Sequence, residues 1–165
     1  MNDIQLYQQI LGLESPWVVD KVDLCVEKQR VDIWVTHPKG TLFSCSQCGQ
    51  SHPVYDHAPP RKWRHLNTCQ FETYLHAQIP RVKCPEHGTR QVDVSWANKQ
   101  SGFTLLMERF IIELLQQCQH VLGVCRLLNI GWHRVFVVMK KAVARGFLRR
   151  DKLCVKGIGV DEKAF

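Results

Sequence analysis

Cys45-Ser46-Gln47-Cys48-Gly49 and Cys84-Pro85-Glu86-His87-Gly88 are one device used twice: two metal-ligand side chains two residues apart, then a glycine. A two-residue gap lets the chain fold back until both side chains reach one ion, and the glycine supplies the tight backbone that such a knuckle demands. Two knuckles give Cys45, Cys48, Cys84 and His87, three thiolates and one imidazole, a tetrahedral donor set at about 2.0 to 2.3 Å from an ion. Four protein ligands leave no open position, so the expected cofactor is structural zinc. The 35 residues between the knuckles exceed the roughly 15 to 20 of the commonest zinc-ribbon spacing. His52, His57, His65, Cys69 and His76 lie inside that gap and compete for the place of His87.

A Cys-x-x-Cys pair also serves thiol redox chemistry, but that use needs a βαβ context with a cysteine at a helix N-terminus. Nothing around Cys45 reads that way. The remaining cysteines, Cys25, Cys69, Cys118, Cys125 and Cys154, are expected to fill core, since free cysteine behaves as a small buried hydrophobe.

Outward from the knuckles, residues 18 to 36 read as a β-hairpin: Val18, Val22, Leu24 and Val26 alternate in part, a polar Glu27-Lys28-Gln29-Arg30 follows, and Val31, Ile33 and Val35 alternate again. Phe71 to Val82 alternates as well. Between these β regions, Cys45 to Pro60 is rich in turn residues. The periodicity changes after Trp96. Asn98 to Gly102 has linker composition, and from Phe103 to Cys118 the apolar positions follow a helical stripe. The expected class is α+β, a small β-rich zinc-binding domain followed by an all-α bundle. The domain boundaries expected are an N-terminal segment 1–17, the zinc-binding domain 18–98, a helical domain 99–150, and a further segment 151–165.

Val121 to Leu128 reads as a second short helix that ends at Asn129-Ile130-Gly131, and Trp132 to Arg145 as a third. Asparagine is the commonest non-glycine residue to tolerate the left-handed conformation of a helix-to-helix turn, so this is a helix-turn-helix pattern. Val135, Val138, Met139 and Ala142 mark the third helix's buried side. A helix of this kind enters the major groove of duplex DNA with its N-terminal residues toward base edges, which presents His133 and Arg134, with Val137 and Lys141 further along. Lys140, Arg145, Arg149, Arg150, Lys152 and Lys156 suit phosphates.

Charge agrees with this. The formal net charge is +7, and it is uneven: four basic against six acidic residues in 1–44, seven against four in 45–100, and eleven against five in 101–165. A basic excess in one region is what a phosphate-backbone binder carries. Arg61-Lys62-Trp63-Arg64-His65 forms a second basic cluster around an aromatic residue: either Arg61, Lys62 and Arg64 contact phosphates, with Trp63 stacking or packing beneath, or Trp63 belongs to the zinc module's core and the arginines are merely solvated. No stretch approaches the roughly 20 apolar residues of a membrane helix, and the N-terminus does not read as a signal peptide, so a cytoplasmic protein is expected.

Taken in order, Cys45-Ser-Gln-Cys-Gly, Arg64-His65-Leu66, Ile79-Pro-Arg-Val-Lys-Cys84-Pro-Glu-His-Gly88, Val94-Ser-Trp96-Ala97, Ser101-Gly-Phe103-Thr104 and Ile158-Gly-Val-Asp161-Glu162-Lys resemble the transposases of ISL-three-type bacterial insertion sequences. The likeness covers nearly the whole chain. It implies an N-terminal zinc finger, a helix-turn-helix, and then an RNase H-like catalytic domain that uses three carboxylates with two divalent ions, magnesium in the intact transposase. Asp161 matches the first carboxylate, at the end of a short strand over residues 153–160 that would open a truncated RNase H-like domain. Two-metal phosphoryl chemistry needs further carboxylates. They are not in these 165 residues, so strand cleavage or joining by this chain alone is not expected. Asn129 departs from the glycine of the family pattern. The expected function is recognition of the terminal inverted repeats of an insertion sequence, with double-stranded DNA, full-length transposase or a second copy of the chain as partners and no membrane. The alternative is a stand-alone DNA-binding regulator that represses transposition.

Overall fold

A computed structural model describes residues 2–118 and 120–149, which divide into two compact units, Met1–Phe110 and Ile111 onward. The first opens with α1 (Asp3–Ile10), within the N-terminal segment 1–17. Its start is a capping box. Asn2 Oδ1 accepts from the Gln5 N–H at 2.9 Å, and Gln5 Oε1 accepts from the Asn2 N–H at 3.3 Å. Gln8 then ties the helix to the first strand: its amide donates to the carbonyls of Leu13 and Trp17 and accepts from the Val19 N–H at 2.7 Å.

Eight strands follow in two four-stranded sheets. In the first, β1 (Val18–Cys25) and β2 (Arg30–Thr36) form the expected hairpin, turning at Gln29 with φ of 47°. β2 then pairs in parallel with β6 (Glu72–Ala77), which pairs antiparallel with β5 (Arg61–Arg64). Val31, Ile33 and Val35 on β2 and Thr73, Leu75 and Ala77 on β6 point inward, as period-two alternation requires. The second sheet runs β3 (Leu42–Ser44), β4 (Ser51–His57), β7 (Pro80–Cys84) and β8 (Gly88–Gln91), all antiparallel.

Two expectations change here. Phe71 to Val82 is not one strand: it breaks at Gln78-Ile79, and its halves join different sheets. Proline has no N–H to give a ladder and tends to begin a strand, and Pro80 begins β7. The turn-rich stretch 45–60 contains β4, which pairs with β7 only from Val54 on, beyond Pro53.

Trp17, Trp63 and Trp96 meet edge to face in the core, with ring centroids 4.8 Å apart for Trp17 and Trp96 and 5.9 Å for Trp63 and Trp96. The segment read as a linker is packed rather than loose. Ser101 is buried, the Asn98 amide and Ser101 hydroxyl both donate to the buried Glu108 carboxylate at 2.8 and 2.6 Å, and the Arg64 N–H donates to the Gly102 carbonyl. Buried polar groups are tolerated when paired in this way. The first unit accordingly continues to Phe110.

α2 (Leu105–Gln117) begins where the Thr104 hydroxyl accepts from the Met107 N–H at 3.3 Å. In the second unit, α3 (Val121–Leu128) and α4 (Trp132–Arg149) pack through Val124, Cys125 and Leu128 against Val135 and Val138. Between them Asn129 takes φ 52° and ψ 47°, and the Ile130 N–H closes onto the Cys125 carbonyl at 3.0 Å. The left-handed turn expected from the sequence is present at the residue expected to make it. Alanine pays the full cost of that conformation whereas glycine pays none, so Asn129→Ala should lower stability by about 1 kcal/mol and Asn129→Gly should leave it within a few tenths, read by urea denaturation. Equal losses in both variants would mean that the Asn129 side chain, not its backbone, matters.

Candidate metal centre and nucleic-acid interface

The two knuckles lie at the ends of neighbouring strands. Cys45 follows β3 and Cys84 ends β7, and the hairpin turns of β3–β4 and β7–β8 bring Cys48 and His87 around to them. In the first turn the Cys45 N–H donates to the Gln50 carbonyl at 2.8 Å and the Gly49 N–H to the Cys45 carbonyl at 2.9 Å. Gly49 and Gly88 sit at φ of 76° and 69°, where a side chain is strained, which is the reason for glycine after each knuckle.

The ligand atoms of Cys45, Cys48, Cys84 and His87 all lie within 4.8 Å of one another. Cys48 Sγ is 3.7 Å from Cys84 Sγ, and Cys84 Sγ is 3.5 Å from His87 Nδ1. An ion held tetrahedrally at the usual zinc distances separates two sulfurs by roughly 3.8 Å and a sulfur from a nitrogen by roughly 3.6 Å. The donor set therefore fits zinc in both chemistry and spacing. Electrostatics agrees. N–H groups of Cys48 and Gln47 directed at the Cys45 sulfur hold its pKa below the ordinary thiol value. At Cys48 the Gln50 N–H works the same way, but burial and the adjoining Cys84 and Cys45 thiols outweigh it and push the pKa up. Three sulfurs so close ionise together only with a cation among them.

None of the competitors joins this group among the described residues. His57 faces His37 with Nε2 atoms 3.0 Å apart, His76 contacts Asp32 at 2.5 Å, Cys69 is exposed, and His52 is half-buried with an unpartnered Nε2. His65 is buried against the Thr104 hydroxyl at 2.9 Å. Core filling holds for Cys125 alone among the described cysteines outside the cluster: Cys69 is exposed, Cys25 and Cys118 are half-buried, and Cys154 lies outside the described residues.

The basic cluster 61–65 is not a basic surface. Trp63, Arg64 and His65 are all buried. Arg64, 3% exposed, donates to the His65 carbonyl at 2.7 Å and to Asn67 Oδ1 at 2.6 Å, with the Glu72 carboxylate at 3.8 Å. It is a bracing group that cannot reach a phosphate, which corrects its place among the nucleic-acid contacts. Arg61 is half-buried, donates to the Ser101 carbonyl and lies over Trp63; Lys62 is exposed, its ammonium 5.6 Å from the Tyr74 ring. On α4, His133, Arg134, Lys140, Arg145 and Arg149 are exposed and Lys141 is half-exposed. Arg150, Lys152, Lys156 and Asp161 lie outside the described residues.

Two family descriptions match this chain, "zinc-finger of transposase IS204/IS1001/IS1096/IS1165" over residues 41–87 and "helix-turn-helix domain of transposase family ISL3" over residues 92–143. The chain carries the zinc-finger and helix-turn-helix modules of the ISL3-type transposases. The zinc-finger match starts just before the first knuckle and ends on His87, so its span takes in all four members of the observed cluster, which fits zinc binding. The helix-turn-helix match takes in α2, α3 and most of α4. The chain is also 29% identical, over 171 residues and its whole length, to the "Transposase for insertion sequence element IS1557" of two Mycobacterium tuberculosis strains, CDC 1551 / Oshkosh and ATCC 25618 / H37Rv. It spans 38% of the length of those curated relatives. No solved structure matches it significantly. No helix among the described residues is long and apolar enough to cross a membrane.

Two outcomes follow. The chain should hold one equivalent of zinc, and chelation or Cys84→Ser should lower the thermal midpoint and strip the metal; unchanged melting in chelator would remove the ion from the architecture. His65 gives a separate acid sensitivity. Burial, seconded by the Arg64 charge, pushes its pKa down to about 4, below the 6.5 of an unperturbed imidazole. Above pH 6.5 neither state binds the proton and stability is flat with respect to this group. As pH falls from 6.5 toward 4 the unfolded chain takes up the proton first, and stability drops by up to about 3 kcal/mol. His65→Gln should flatten that window, measured as the difference from the parent so that zinc release cancels.

Proposed function

We propose that this chain recognises DNA for a transposase, reading the terminal inverted repeats of an insertion sequence through α4 while the zinc ribbon holds the β-rich unit in shape. The observation that carries the reading is the α3–Asn129–α4 arrangement together with the composition of α4. That helix has no acidic residue and carries Arg134, Lys140, Lys141, Arg145 and Arg149 on sides other than its buried Val135–Val138 stripe. In this reading His133 and Arg134, at its N-terminal end, address base edges in the major groove, and Lys140, Lys141, Arg145 and Arg149, with Arg150 and Lys62, answer phosphates.

The further parts of the proposal follow from the resemblance to transposases. Asp161 supplies the first carboxylate of an RNase H-like site that begins in 151–165, and magnesium serves the intact enzyme there. Full-length transposase or a second copy of the chain is the expected protein partner, in the cytoplasm.

Fluorescence anisotropy with duplexes ending in the element's inverted repeats, over a salt series, tests the DNA reading. Affinity should fall steeply with salt, and each of Lys141→Ala, Arg145→Ala and Arg149→Ala should reduce the slope of log K against log salt by about one. A flat salt dependence, or slopes indifferent to these substitutions, would leave α4 without a phosphate role.

A further inference from the structure

α4 buries one side and charges another, and neither accounts for its first residue. Trp132 is 48% exposed, although tryptophan is among the side chains with most to gain from burial. Its ring lies face to face with Phe136 one turn on, centroids 4.7 Å apart and planes at 12°. Residues four apart share a helix face, so this pair forms an aromatic edge along the helix's first turns. Arg134, Lys141 and Arg145, spaced by seven and four, form a basic edge on a different side, and His133, Val137 and Lys140 lie between the two.

A helix with that cross-section suits the major groove. Lys141 and Arg145 on its basic edge meet one phosphate backbone, while at the N-terminal end, which goes deepest, the aromatic edge joins His133 and Arg134 at base edges. The apolar group that the major groove displays is the C5-methyl of thymine. We infer that the Trp132–Phe136 stack is a specificity-determining contact that reads thymine methyl groups in the major groove of duplex DNA. The inference rests on the DNA-reading role proposed for α4 and names what that helix reads. The two rings already lie against each other, so little side-chain freedom remains to be lost on binding. The absence of acids from α4 and the cations on its neighbouring edge favour a polyanion over a second apolar protein surface as the occupant.

The test uses the zinc-loaded chain and a duplex selected by it from a randomised pool. Each thymine is replaced in turn by deoxyuridine, which removes the methyl and nothing else. With the parent protein, one or more positions near the α4 footprint should weaken binding about threefold to tenfold on replacement, the scale of one buried methyl. Trp132→Ala should lose a similar factor on the thymine duplex and become indifferent to the replacement, while Trp132→Phe keeps part of the discrimination and reports on whether loss of folding is the cause. Binding to unselected duplex at low salt should stay unchanged in both. Indifference of the parent to every replacement, or equal weakening of selected and unselected duplexes by Trp132→Ala, overturns the inference while leaving α4 a DNA reader. So does a shift from dimer to monomer in Trp132→Ala with uracil sensitivity retained, which would give the stack to a second copy of the chain. Failure of the parent to retain any duplex from the pool sinks the DNA reading and this inference together.

Discussion

Three sulfurs and one imidazole within 4.8 Å of one another make an arrangement that protein groups alone do not stabilise. As thiols they offer one another only weak hydrogen bonds; as thiolates they repel. A divalent cation converts the repulsion into attraction at every ligand at once. The second sheet depends on that conversion more than the first does. Its outer strands, β3 and β8, have three and four residues, and β8 buries none of them. Sheets this small are marginal without a staple. Cys45 and Cys84 are themselves buried core residues, clustered with Phe43, Ile79 and Val82, so losing the ion would open the core and not merely fray two turns.

What the sequence revealed and what it hid divide by the range of the physics involved. The knuckles, the hairpin 18–36 and the left-handed Asn129 follow from chemistry within a few residues, and each stands where the pattern put it. The split of 71–82 does not. Its inward positions are odd from Thr73 to Ile79 and even from Pro80 to Cys84, a slip of one residue that is slight in the sequence, while the partners, β2 and β5 on one side and β4 and β8 on the other, divide it fully. Pro80 was the available signal. The capping box Asn2-x-x-Gln5 is likewise the local signal for α1. Arg64 shows the opposite limit. A cation two residues from Lys62 in a β segment reads as a surface group, yet the carbonyls of His65 and Thr73, the Asn67 amide oxygen and the Glu72 carboxylate are all presented to it, and this provision by the following loop and strand lets it be buried. Helical periodicity sorts residues into buried and polar, and an exposed aromatic such as Trp132 fits neither class.

The two parts of the proposed DNA contact differ in kind, and the difference orders events. Charge along the basic edge of α4 acts at a distance of about a Debye length, is blind to sequence, and weakens with salt. Contact between an aromatic face and a methyl group acts only at van der Waals range and is insensitive to salt. A protein built on both first holds any duplex and then discriminates among registers along it. Such discrimination requires α4 to be rigid at its N-terminal end, because a loose helix would average over neighbouring base pairs. The turn at Asn129, the Ile130 N–H bond to Cys125 and the buried Val135 supply that rigidity within the first turn and immediately before it. Toward the other end, Phe147 is 67% exposed and, among the described residues, α4 has no fully buried side chain after Val138. The reading end is therefore the better-fixed end, as a helix that specifies by its first turn must be.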